Sequence, residues 1–116
     1  MTGLQINSAK RNGVPVISLV GDLDDCSSAS VRALFSDLLV PETPSLILEL
    51  SKLEYIDSSG LGVLVGALKT AASCSGTVAI VNASPAIVHI LRITGLDHIF
   101  QFFDDEDVAE RELKLA

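Results

Sequence analysis

The chemistry in this chain concentrates in one run, Tyr55-Ile56-Asp57-Ser58-Ser59-Gly60-Leu61-Gly62-Val63-Leu64-Val65-Gly66. A strand gives way to a helix there. Ser58 or Ser59 is expected as the N-cap, with its hydroxyl near the N–H groups that a first turn leaves unpaired and near the positive end of the helix dipole. A phosphoryl group carried at that place would be stabilised by the same features. The hydroxyl has no activating base, because His89 and His98 fall in later segments, one on the polar side of a helix and one in a loop. The chain also lacks a G-x-x-x-x-G-K loop, and no basic residue beyond Lys52 stands near Ser58. ATP would therefore have to arrive with another protein. No paired base and nucleophile and no metal cluster emerges at usable spacing, so the chain reads as a binding module and not an enzyme, with no cofactor.

Two further groups of residues invite chemistry. Asp24 and Asp25 together with Asp57 could form an acidic, magnesium-binding pocket around a phosphoaccepting aspartate, as in a receiver domain. Against this, no lysine ends a later strand to hold the phosphoryl group, and Asp57 runs directly into Ser-Ser-Gly at the start of a helix. The plainer reading of Asp22, Asp24 and Asp25 is a solvated turn and helix cap. Cys26 and Cys74 stand far apart, without a C-x-x-C or a His at ligand spacing, and read as reduced thiols packed as small apolar side chains.

The helix after Ser58 is unusual in composition. Leu61, Leu64, Val65 and Leu68 supply the expected buried stripe, yet the other positions are Gly62, Val63, Gly66 and Ala67, and the first two turns carry no charge. Glycine costs about 1 kcal/mol relative to alanine inside a helix unless close approach to something returns that loss. Either a second helix of the domain or a protein partner must lie against this segment, and in so small a domain the partner is favoured.

The elements that position these residues read as short strands and helices in alternation. Residues 4–9 and 14–20 are strand-like and flank Arg11-Asn12-Gly13, whose Asn-Gly pair signals a hairpin. Residues 27–40 form an amphipathic helix through Val31, Leu34, Phe35 and Leu38, and Pro41 and Pro44 end it. Residues 45–50 form a strand followed by a polar loop. The helix from Ser58 runs to about Ser73 and is closed by Gly76. Residues 77–81 are a fourth strand. Ser84 and Pro85 open a third helix that Gly95 stops, residues 99–103 make a short strand, and the acidic 104–107 segment begins a last helix with Lys114 near its end. The expectation is a single α/β domain spanning 1–116, with a mixed five-stranded sheet and about four helices.

Composition agrees. One core fits in 116 residues with 48% hydrophobic content. Fifteen acidic against eight basic residues give a net charge of -7, which disfavours nucleic acid as a partner. The uncharged run Ser58 to Leu68 falls short of the ~20 apolar residues of a membrane span. With no signal-peptide pattern, membrane insertion is not expected and a cytoplasmic location is.

Ile56-Asp57-Ser58-Ser59-Gly60-Leu61-Gly62, with Gly21-Asp22-Leu23-Asp24 ahead of the first helix and Ser84-Pro85 opening the third, resembles the anti-sigma factor antagonists of the STAS domain family. The resemblance covers essentially the whole chain. It implies that Ser58, the first serine after the aspartate, is phosphorylated by an anti-sigma factor that is also a serine kinase. The unphosphorylated form would bind that kinase and free its sigma factor, and a metal-dependent serine phosphatase would restore it. On this resemblance Asp22, Asp24, Ser27, Asp57, Ser59, Gly60, Leu61 and Gly62 belong to the partner-binding surface, with Ser59 supporting the turn or cap. An alternative within the same fold is an adaptor subunit of a membrane transporter or a signalling scaffold.

Overall fold

In the computed structural model, which describes residues 3–115 and the side chains of residues 3–113, Asn12 and Gly13 make the turn that their chemistry predicts. Their φ angles of 51° and 88° place both in the left-handed region that a two-residue hairpin loop requires. The hairpin joins β1 (Leu4–Arg11) to β2 (Val14–Leu23), antiparallel, with Arg11 opposite Val14. The chain continues through α1 (Ser28–Leu38), β3 (Leu46–Glu49), β4 (Leu53–Ile56), α2 (Ser58–Ser73), β5 (Val78–Val81), α3 (Pro85–Ile93), a 3-10 turn (Leu96–His98), β6 (Gln101–Phe103) and α4 (Glu106–Leu115).

Among the described residues the sheet has six strands, one more than the expected five. Its main order is β1-β2-β3-β5-β6, and β2 is long enough to pair in parallel with β3 through Val16–Ser18 and then, past a bulge at Gly21/Asp22, with β4. The added strand β4 was expected as loop because it is four residues long with Glu54 and Tyr55 both exposed, so it lacks the alternation that marks a strand. Its pairing with the far end of β2 is non-local.

Alternate side chains of the inner strands serve two layers. Ile17, Leu19 and Leu23 of β2, with Leu46 and Leu48 of β3 and Val78 and Ile80 of β5, join the core under α1, α2 and α3. Val16, Ile47, Ala79 and Val81 point to the other face and meet Ala109 and Leu113 of α4. β5 is thus buried on both sides, which explains its unbroken apolar run.

Two helix ends need comment. At α2, Ser75 and not Gly76 takes the left-handed conformation (φ 67°), and the amides of Ser75 and Gly76 bond the carbonyls of Ala72 and Ala71 at 3.0 and 2.7 Å, the paired bonds of a Schellman close. Gly76 is small for a different reason, since a Cβ there would overlap the Pro44 carbonyl. At α3, Ser84 caps through its Oγ, which accepts from the Ile87 amide, with Pro85 next and Gly95 at φ 76° beyond the end, as expected. The acidic start of α4 is present, while the side chain of Lys114 lies outside the described residues. No helix among the described residues is long and apolar enough to cross a membrane.

Candidate functional site

Asp57, at the junction of β4 and α2, has the extended backbone of an N-cap (φ -108°, ψ -171°), and its Oδ1 accepts from the Gly60 amide at 3.0 Å. The cap is therefore Asp57, and neither Ser58 nor Ser59 fills that role. Aspartate caps about as well as serine and brings a negative charge to the positive end of the helix. Ser58 becomes the first residue of the helix, exposed, with no hydrogen bond from its hydroxyl among the described residues; Ser59 is half-buried.

The second Asp57 oxygen, Oδ2, accepts from the Asp25 amide at 3.3 Å, and the Asp57 amide donates to the Leu23 carbonyl at 3.2 Å. These bonds tie the start of α2 to the β2–α1 loop. Within that loop Asp24 Oδ1 accepts from the Cys26 and Ser27 amides at 3.0 and 3.2 Å. The Ser27 hydroxyl donates to the Asp22 carbonyl at 3.0 Å and accepts from the Asp24 amide at the same distance. Ser27 stands at the N-cap of α1 yet makes no capping bond, because its hydroxyl holds the loop. Asp22 sits one strand-end away, half-buried and opposite Tyr55, with its amide bonded to the Gly3 carbonyl. The loop and helix residues singled out in the sequence are thus brought together, with Asp22 at the edge.

The rim is acidic and uncompensated. Among the described residues no ion pair reaches Asp22, Asp24, Asp25 or Asp57. Cys26 is exposed in this rim and not packed as a small apolar residue; Asp25 first, then Asp24, push its thiol pKa up by disfavouring a second negative charge. Cys74 is half-buried. One ligand atom from each of Asp24, Asp25 and Cys26 lies within 4.8 Å of the others, although Asp24 Oδ1 is already engaged by the loop's own amides.

The α2 face differs from the expected stripe. Gly60, Val63, Leu64, Ala67 and Ala71 are buried, while Leu61, Val65 and Leu68 are only half-buried. α1 is the reason. It lies beside α2, and Arg32, Phe35 and Ser36 share a groove with Val63, Gly66, Ala67 and Thr70. Gly60 has an internal explanation, since a Cβ would stand 2.5 Å from the Leu23 carbonyl oxygen and 2.7 Å from Ile56 Cγ1. Gly62 and Gly66 have none, for both are exposed and a Cβ on either would meet nothing within 4 Å. Sequence reasoning missed the capping role of Asp57 and the part of the Asp25 amide; the signal for the first was an aspartate one position ahead of the serines.

The antiparallel first pair at the sheet edge is unlike the doubly wound sheet of a receiver domain, whose first strand lies inside. Comparison with known proteins places the chain elsewhere. Residues 5–109 match the STAS domain family model. The anti-sigma F factor antagonist of Paenibacillus polymyxa is 32% identical over 114 residues, 97% of each chain. The crystal structure of an anti-sigma factor antagonist from Mycobacterium paratuberculosis superposes with a TM-score of 0.84 at 22% identity, covering 97% of this chain and 95% of that one. The Bacillus cell fate determinant SpoIIAA in its phosphorylated form superposes with a TM-score of 0.70 at 24% identity, covering 94% and 98%. At such identities the two structures bear on the fold, while the family match and the full-length Paenibacillus relative decide kinship: the chain belongs to the STAS domain family, beside proteins named anti-sigma factor antagonists.

Proposed function

We propose that this chain is an anti-sigma factor antagonist switched by phosphorylation of Ser58. The observation that carries the reading is the setting of that hydroxyl: exposed and unengaged at the first position of α2, next to a cap whose two oxygens are already committed. A kinase can reach it without unfolding anything. The unmodified surface combines the open Gly62 and Gly66 positions, the half-buried Leu61 and Val65, and the acidic rim of Asp22, Asp24, Asp25 and Asp57. It would bind an anti-sigma factor that is itself a serine kinase and brings the ATP, so that its sigma factor is released.

A phosphate on Ser58 adds roughly two negative charges at pH 7. They would stand beside Asp57, in a rim whose acids make no ion pair among the described residues, where burying them under a partner costs both desolvation and like-charge repulsion. Binding is lost, and a serine phosphatase restores it. The chain acts as substrate and ligand, not as an enzyme, and works where cytoplasmic ATP is available. Mass spectrometry of the tryptic peptide from Leu53 to Lys69, taken from native cells, tests the assignment: phosphate on Ser58 supports it, and a peptide unmodified under all growth and stress conditions contradicts it.

A further inference from the structure

The two margins of the sheet differ. β6, at one, has three residues; β1, at the other, has eight, runs in unbroken register with β2 and contains no proline. Open edges are ordinarily kept from pairing by short length, a bulge, a proline or charges along the strand. β1 is charged only at its end, by Lys10 and Arg11, and Arg11 is turned to Glu106, Asp107 and Glu110 of α4. Residues 4–9 carry no charge.

The phase of the hairpin determines which backbone groups face outward. Pro15, which has no N–H, stands opposite Lys10, so that pair is not a bonded one, and the Asp22 amide donates to the Gly3 carbonyl at 3.0 Å. Odd-numbered residues of β1 therefore bond β2, and the amides and carbonyls of Leu4, Ile6, Ser8 and Lys10 point away from the sheet. The side chains of Leu4 and Ile6 pack against the core under the helices. Gln5 and Asn7 are exposed on the other face, where Gln5 Nε2 donates to Asn7 Oδ1 at 3.4 Å.

We infer that two copies of this chain associate through β1, antiparallel about a two-fold axis at Ile6, into one continuous sheet. An added strand must set its own outward residues against the even-numbered ones, and in this register β1 does so: Ile6 faces Ile6, Leu4 faces Ser8 and Gln5 faces Asn7. Apolar meets apolar beside the core, amide meets amide on the other face, and no charge is set against its like. Moving the axis to Asn7 would instead put Leu4 against Lys10 and Ile6 against Ser8. Charge favours the same edge, because a chain of net charge -7 has no acid in β1, so a second copy can approach there without burying one. Lys10, which makes no ion pair among the described residues, is carried toward the start of the other β1, where Asp22 and Glu54 line a groove with Gly3 and Leu4. The dimer keeps both Ser58 surfaces, since residues 4–8 belong neither to α2 nor to the β2–α1 loop.

The test is sedimentation equilibrium of the intact chain, with a monomer–dimer equilibrium expected at a Kd of about 10 to 100 μM. Ser8→Pro removes an outward amide while leaving the β1–β2 bonds in place, and should raise that Kd about tenfold or more. Cross-linking fixes the register independently of that variant. With Cys26 and Cys74 both changed to serine, Ile6→Cys should form a disulfide-linked dimer in oxidised glutathione, and Ser8→Cys, which faces Leu4, should not. A chain that stays monomeric to about 1 mM, a dimer indifferent to Ser8→Pro, or equal cross-linking of the two cysteine variants would overturn the inference.

Discussion

Asp57 Oδ2 lies 3.3 Å from the Asp25 amide while Oδ1 lies 3.0 Å from the Gly60 amide, so one carboxylate both caps α2 and clasps the β2–α1 loop. The segment that carries the candidate phosphoacceptor and the loop that supplies Asp24 and Asp25 of the acidic rim are therefore joined through one side chain, beside the backbone bond from the Asp57 amide to the Leu23 carbonyl.

Replacement of Asp57 should show both functions. Asp57→Ala removes a cap and leaves the Gly60 amide without a side-chain partner, for a loss of about 1 to 2 kcal/mol in urea unfolding. Asp57→Asn keeps an acceptor for Gly60 and should lose less than half of that. If the two variants unfold alike, the cap is not what stabilises this junction.

The three glycines at the start of α2 should separate. Gly60→Ala forces a methyl against the Leu23 carbonyl and the Ile56 side chain, and should destabilise by about 1 to 3 kcal/mol despite the better helix propensity of alanine. Gly62→Ala and Gly66→Ala meet open space and should each stabilise the isolated chain by up to about 1 kcal/mol. The same two changes should weaken partner binding, because the glycines then serve close approach from outside. Thermal unfolding alongside a binding assay reads both effects.

Cys26 offers a probe of the rim's field. Its thiol pKa is raised by Asp25 and Asp24, so at a pH just below the usual thiol value it holds less thiolate than a free cysteine and should alkylate more slowly with iodoacetamide. Asp25→Asn removes the largest cause and should speed the reaction, bringing the pH profile down toward that of free cysteine. Rates that do not respond to Asp25→Asn would show that the rim charges are screened out.

Much of this arrangement was legible in the residues. The Asn12-Gly13 turn, the Ser84-Pro85 start of α3 and the alternation of helix and strand rest on local chemistry, and the structure agrees with them. What was not legible depends on distant partners. β4 is too short and too exposed to announce itself and exists through its pairing with the bulged end of β2. The buried face of α2 lies one position from the expected stripe because α1 covers Val63 and Ala67, which no periodicity within α2 reveals. Asp57 takes the cap expected of Ser58 or Ser59, and propensity alone does not separate them, since aspartate and serine cap about equally well.

The central claim concerns Ser58, and the most direct measurement is the affinity of Ser58→Ala and Ser58→Asp for the anti-sigma kinase from the same cells, by calorimetry in the presence of adenine nucleotide. The account predicts that Ser58→Ala binds persistently, at or near wild-type affinity, and that Ser58→Asp binds at least about tenfold more weakly, a difference of about 1.4 kcal/mol or more. Equal affinity of the two variants would contradict it.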